Sequence, residues 1–222
     1  MIEAAIFDMD GVMVDNARYH IRAWQLLGKE LGKDLTDEQV RGVFGQRNSE
    51  MLGALVGNSL SPEQILHLGD RKEIIYRELM APDLTPVPGL MEFLAELRKE
   101  GFKAAVATSG PSDNVNLVMD GLGLRPWFDV IVTGAEVSRG KPDPDIFLLA
   151  SRRLSLAAAQ CVVFEDSTAG IEAARRAGSP CVALATTHTP DELKALSAFR
   201  IISDFRGLRT ADVMNLRSTI ED

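Results

Sequence analysis

Short apolar runs recur along the chain at Ala4 to Phe7, Lys103 to Ala107, Val130 to Thr133, Cys161 to Phe164, Cys181 to Ala185 and Arg200 to Ile202. Each is bounded by turn residues and lacks polar alternation, the pattern of strands buried on both faces of a parallel sheet. Between them, Gly89 to Lys99, Ser112 to Gly121, Asp145 to Leu154, Ala169 to Ala177 and Asp191 to Leu196 carry apolar residues at helical spacing. Strand alternating with helix predicts an α/β fold, a parallel sheet covered by helices on both sides. Residues Ala17 to Ala81 break the rhythm, because they read as helices only and are far too long for a simple crossover. They predict an inserted helical domain, whose return linker "APDLTPVPG" is stiffened by three prolines. The chain therefore divides into a core of residues 1–15 and 85–222 and a helical domain of residues 16–84, with Asp15 at the hinge.

Composition narrows the possibilities. The formal charge is −8 and Lys and Arg form no dense run, so nucleic acid is not an expected partner. The two cysteines, Cys161 and Cys181, each open an apolar run and read as buried free thiols in a reducing compartment. The chain starts almost directly on strand residues and contains no run of eighteen apolar residues, so neither secretion nor a membrane is expected. A cytoplasmic monomer is the expectation.

The candidate chemistry stands at strand ends. After the first strand come Asp8 and Asp10, within "IFDMDGVMVD"; after the second, Thr108, Ser109 and Gly110; past the third, Lys141 in "GKPDPDIF"; at the end of the fourth, Glu165 and Asp166. In an open parallel sheet, ligands bind outside the carboxyl ends of the strands, so these residues can converge on one crevice. Singly, each has a plainer reading as a turn, a helix entry, a solvated loop or a cap. Jointly, turns give no reason for charged and hydroxyl residues to share one end of four strands. An EF-hand fails, since Val12 and Met13 fall at its fifth and sixth positions. Clustered carboxylates would hold protons unless a hard cation offset them, and Mg²⁺ is the expected ion. Hydroxyl, turn N–H groups and lysine suit phosphate. Phosphoryl transfer follows, with Asp8 attacking phosphorus and Asp10 carrying the leaving oxygen's proton.

The motifs "DMDGVMVD", "VATSG", "GKPDPDIF" and "FEDSTAGIEAARRAG", in that order and spacing, resemble the haloacid dehalogenase superfamily of phosphotransferases, in its β-phosphoglucomutase-like branch. The resemblance covers essentially the whole chain and implies a Rossmann-like three-layer core with a helical cap. It implies Asp8 as nucleophile forming an aspartyl-phosphate, Asp10 as general acid and base, and Thr108 and Lys141 as phosphate-holding groups. It also implies Mg²⁺ on Asp8, on Asp10 through its carbonyl and on Asp166, with Glu165 nearby. Asp10 favours phosphate esters over halides and phosphonates, since those branches lack an acid at that place.

In the cap, "YHIRAW" resembles the β-phosphoglucomutase segment, and Lys72 falls where that enzyme couples a lysine to its histidine. His20, Trp24 and Lys72 are thus candidate substrate-side residues, with cap packing and surface roles as the alternative. Gly45 and Arg47 belong to the cap loop "FGQRNSE", which differs from the mutase loop, and Arg47 is a candidate contact for a distal anionic group. Ser109 and Gly110 complete the substrate-binding set. The expected function is a Mg²⁺-dependent phosphatase of a small phosphorylated metabolite; the alternative is β-phosphoglucomutase, interconverting β-glucose 1-phosphate and glucose 6-phosphate. A receiver-like phospho-switch is disfavoured by length, by the insertion and by the early position of the reactive aspartate.

Overall fold

The structure, a computed structural model, describes residues 1–196, 198–214 and 216; the rest of the expected core, 197, 215 and 217–222, lies outside the described residues. Six strands, β1 (Ala4–Phe7), β2 (Lys103–Thr108), β3 (Val130–Thr133), β4 (Cys161–Glu165), β5 (Cys181–Leu184) and β6 (Arg200–Ile202), form one sheet in the order β3-β2-β1-β4-β5-β6. Every pairing is parallel. The chain steps outward from β1 in both directions, so the point where strand order reverses, and hence the crevice, falls at the carboxyl end of β1.

Alternation along β1 divides the core into two layers. Ala5 and Phe7 face one side, where Phe7 stacks on Phe164 at 4.8 Å between ring centroids and meets Phe93 and Phe205. Ala4 and Ile6 face the other, packing with Val163, Ile171, Phe147 and Leu193. Full burial of each such aromatic or branched side chain contributes about 1.5–3 kcal/mol, so the apolar runs alone hold the sheet between its helices. The covering helices are local consequences of their ends: Ser167 accepts from Gly170 N at the start of the helix Thr168–Ala177, and Gly178 closes it in the left-handed region.

Strands β2 and β4 each run one residue past the apolar run, to Thr108 and Glu165. Both polar residues still pair in the ladder, Thr108 with Thr133 and Glu165 with Ala183, and both are buried. Hydropathy therefore marks the end of the strand where the polar site begins. The helix expected at Asp191 to Leu196 spans Pro190–Lys194, because Thr189 caps it and Pro190 occupies its first turn.

A helix α5 (Leu90–Lys99) leads back into β2, and before it the insert that follows β1 holds four helices, α1 (Ala17–Glu30), α2 (Asp37–Arg41), α3 (Asn48–Leu55) and α4 (Pro62–Met80). They gather around a cluster of their own: Ile21, Trp24, Leu27, Val40, Met51 and Leu52. Ala23 of α1 and Ile75, Tyr76 and Met80 of α4 instead join the aromatic side of the sheet core. The two connections to this insert run side by side, Val14 bridging Pro86 and Val87 N donating to the Met13 carbonyl at 2.9 Å, with Asp15 exposed beyond them. Among the described residues, no helix is long and apolar enough to cross a membrane.

Candidate active site

Four strand ends deliver the polar cluster. Lys141, 1 % exposed, reaches in beneath β1 and donates to Asp8 Oδ1 at 2.8 Å and Glu165 Oε1 at 2.6 Å. Glu165 is spent: its Oε2 accepts from the Asp166 and Ser167 N–H groups, both at 2.8 Å, and from Ser167 Oγ at 3.0 Å. Asp166 Oδ2 accepts from Thr187 Oγ1. Thr108 Oγ1 accepts from Gly110 N at 3.0 Å, which leaves its own hydroxyl proton free for a ligand. The turn after β1 brings backbone against this cluster. Gly11 has φ +74°, and a Cβ there would fall 1.9 Å from Asp166 Oδ2, so conformation and space both require glycine.

Electrostatics show what the cluster lacks. One buried ammonium faces three buried carboxylates, whose ligand atoms lie within 4.8 Å of one another. Burial raises Asp8 to about 7, against the pull of Lys141 and with Glu165 and Asp10 adding to the rise. Burial, then Glu165 and Asp8, push Asp166 well above the usual carboxylate range. Burial opposes the charge on Lys141, but Asp8 and Glu165 outweigh it and hold the lysine protonated. All-oxygen donors with excess negative charge fit a hard divalent cation such as Mg²⁺. Asp8 and Asp166 each keep one oxygen without a partner among the described residues, whereas Glu165 is better placed to orient Lys141 than to coordinate.

Asp10 turns away from Asp8 toward the insert. Its Oδ1 accepts from Asn16 Nδ2 at 2.6 Å, and His20 Nε2 stands 3.3 Å from the same oxygen. Burial alone would raise Asp10; the His20 ring facing it, the Asn16 hydrogen bond and the Lys72 charge behind the ring more than offset it and hold the group below its ordinary value. Asn16 also donates to Tyr76 Oη at 2.6 Å and accepts from Gly11 N at 3.1 Å, so its amide is fully used. His20 stacks on Tyr76 at 3.9 Å, and its Nδ1 meets Lys72 Nζ at 2.8 Å. An ammonium only donates, so the neutral ring accepts at Nδ1 and carries its proton on Nε2, facing Asp10.

A cavity of about 70 Å³ separates core from insert. Asp8, Asp10, Thr108, Ser109, Gly110 and Asp166 line its floor; His20, Trp24, Gly45 and Lys72 line its insert wall. Ser109 Oγ donates to the Gly45 carbonyl at 2.8 Å, and Gly45 has φ +85° with a notional Cβ 2.2 Å from Ser167 Oγ, so the insert loop rests directly on the core. Trp24 is buried and its indole Nε1 has no partner among the described residues. Arg47 does not line the cavity: it caps the start of α3 in extended conformation and lies against Gly140, where a Cβ would come within 2.7 Å of its Nε. The structure thus does not bring Arg47 together with the other candidates.

Sequence reasoning passed over Glu73, Tyr76, Asn114 and Thr187, and read Asn16 only as a departure from the mutase-like threonine, with no site role. A signal existed for Glu73 and Tyr76, since Gly69, Lys72, Glu73, Tyr76 and Met80 form the inward stripe of α4 and charges on such a stripe demand partners. Thr187 carried none, because nothing local joins the loop after β5 to Asp166.

Fold and site define a hydrolase or phosphotransferase of the parallel α/β type, with an aspartate cluster at the strand-order reversal. The chain belongs to the haloacid dehalogenase-like hydrolase family, whose model matches residues 5–184. It is 34% identical over 200 residues, 88% of this chain and 90% of the relative, to the phosphorylated carbohydrates phosphatase of Thermotoga maritima. It is 31% identical to the β-phosphoglucomutase of Bacillus subtilis, over 80% of each chain. Its fold matches CbbY from Rhodobacter sphaeroides, solved in complex with phosphate, with a TM-score of 0.85 and 30% identity over 97% of this chain and 100% of the other.

Proposed function

We propose that the protein is a Mg²⁺-dependent phosphatase that hydrolyses a small phosphorylated metabolite, with sugar phosphates as the expected class, through an aspartyl-phosphate on Asp8. The observation that carries this reading is the buried Asp8–Lys141–Glu165 bridge beside Asp166, opening on a cavity between core and insert that Asp10 also lines. Asp8 attacks phosphorus, forming the Asp8 oxygen–phosphorus bond as the bond to the leaving oxygen breaks. Mg²⁺, held by Asp8 and Asp166, would neutralise charge on the phosphoryl oxygens. Lys141 adds a second positive charge beside Asp8, and Thr108, with the Ser109–Gly110 turn, holds the remaining oxygens.

Asp10 rests ionised, held low by His20 and Asn16 against burial. An incoming phosphate dianion raises its proton affinity by like-charge repulsion, so it takes up the proton that it gives to the leaving oxygen. It then accepts a proton from the water that attacks the aspartyl-phosphate, releasing phosphate and restoring Asp8. The unpartnered Trp24 indole N–H is available to an oxygen of the substrate's organic part.

The second reading, β-phosphoglucomutase, is favoured by the Bacillus relative and by the Lys72–His20 pair. A mutase must hold a second phosphoryl group at the far end of its cavity. Here the insert wall offers Lys72, already engaged by His20 and Glu73, while Arg47 stands outside. That supports water as the acceptor.

A panel of phosphorylated metabolites with Mg²⁺, including β-glucose 1-phosphate, tests both readings when free phosphate and sugar-phosphate isomerisation are followed together. Predominant phosphate release is expected, and predominant isomerisation overturns the phosphatase assignment. Asp8→Asn is expected to abolish either activity, whereas retained turnover would remove Asp8 as nucleophile.

A further inference from the structure

The inward stripe of α4 carries a carboxylate whose partners come from both sides of the interdomain seam. Glu73, 5 % exposed, accepts at Oε1 from Lys72 Nζ at 2.9 Å and from Asn48 Nδ2 at 2.7 Å, both within the insert. Its Oε2 accepts at 2.7 Å from Nδ2 of Asn114, a fully buried residue in the first turn of the core helix α6 (Ser112–Gly121). The Asn114 Oδ1 in turn accepts from Arg77 Nη1 at 3.0 Å, one turn along α4 from Glu73. A carboxylate only accepts and a guanidinium only donates, so the Asn114 amide has a single orientation that satisfies both.

From this geometry we infer that Glu73 and Asn114 are positioning residues, a docking pair through which seating of the insert on α6 aligns Asp10 for proton transfer. The inference rests on the proposed role of Asp10. Each link up to the ring allows only one direction of donation. Asn114 holds Glu73, Glu73 clamps the Lys72 ammonium, Lys72 fixes the His20 ring at Nδ1, and the opposite ring nitrogen faces Asp10 Oδ1. Helix α6 follows directly from the Thr108–Ser109–Gly110 segment, so the anchor is built onto the element that would hold the phosphate. Unseating the insert removes the Asn114 donor from a buried carboxylate, frees Lys72, and leaves Asp10 without an aligned His20.

The test compares a substrate that needs no leaving-group proton, acetyl phosphate, with one that does, glycerol 3-phosphate, using the full chain with Mg²⁺. Asn114→Asp sets a carboxylate against Glu73, and Asn114→Leu removes the hydrogen bonds at similar volume. Each is expected to lower kcat/KM, which reads only the steps up to aspartyl-phosphate formation, about 10- to 100-fold more on glycerol 3-phosphate than on acetyl phosphate, a positioned acid being worth that order or more. The double variant Glu73→Gln with Asn114→Asp reverses donor and acceptor and is expected to recover most of the loss. Equal losses on the two substrates, or no recovery in the double variant, would overturn the pairing.

If the wild type hydrolyses neither substrate, the functional reading fails by itself, and the docking pair is then read by fluorescence. Trp24 and Trp127 are the two tryptophans, so a Trp127→Phe background reports Trp24 alone. Asn114→Asp is expected to raise acrylamide quenching of Trp24 severalfold; unchanged quenching refutes the docking role.

Discussion

Asp8→Asn is expected to make the metal-free protein more stable above neutral pH while abolishing turnover. Asparagine keeps the shape of the protonated carboxyl, so the difference between wild type and variant measures the cost of ionising Asp8 in its pocket. Burial raises that group to about 7 from an ordinary 3.8, which is of the order of 4 kcal/mol at about 1.36 kcal/mol per tenfold change in proton affinity. The sign follows from proton counting. Below the unfolded value both states are protonated and the cost is nil; between the two values the folded state keeps the proton that the unfolded state has lost, so stability falls as pH rises; above the folded value the cost is constant. Asp10 and Glu73, both held low against burial by their partners, shift in the opposite direction, and Asp166 shifts in the same direction as Asp8, less so once the Asp8 charge is gone. Thermal melts in a chelator should place the variant on the order of 10 °C above wild type near pH 8, at about 2–4 °C per kcal/mol for this size. The gap should shrink by more than half near pH 5. Excess Mg²⁺ should narrow it near pH 8, since the wild type gains more from the ion. A variant that melts no higher than wild type near pH 8, or an advantage independent of pH, refutes the argument.

Removing Lys141 acts in the opposite sense. Lys141→Met strips the shared donor from Asp8 and Glu165 and is expected to cost about 3–5 kcal/mol in urea unfolding near pH 8, with a smaller loss at acid pH where Asp8 is protonated. A loss that does not change with pH would count against the bridge as the source. Gly45→Ala forces a methyl group to within 2.2 Å of Ser167 Oγ at φ +85°, lifting the insert loop from the core. It is expected to raise KM about tenfold and to lower the melting temperature by a few degrees, and an unchanged KM would show that the loop does not govern access.

The parallel sheet and its layers were legible locally, because strands buried on both faces need runs such as AAIF and CVVF and helices need apolar residues at 3.6-residue spacing. The convergence of Asp8, Thr108, Lys141 and Asp166 was also legible, since every strand of a parallel sheet delivers its carboxyl end to the same edge. The helical insert announced itself by length and pattern. What tertiary structure alone decided is which polar group answers which. Asn16 resembles a simple helix entry in sequence, yet its amide joins Asp10, Tyr76 and the Gly11 N–H. Glu73 meets Asn114 across 41 residues, and Asp166 meets Thr187 across 21. Arg47, in a loop that pointed toward substrate, lies against Gly140 instead. Hydrophobic periodicity is a property of neighbouring residues and survives in one dimension; a buried polar group must find a complementary donor or acceptor wherever the fold brings one within about 3 Å, and no local pattern records that distance.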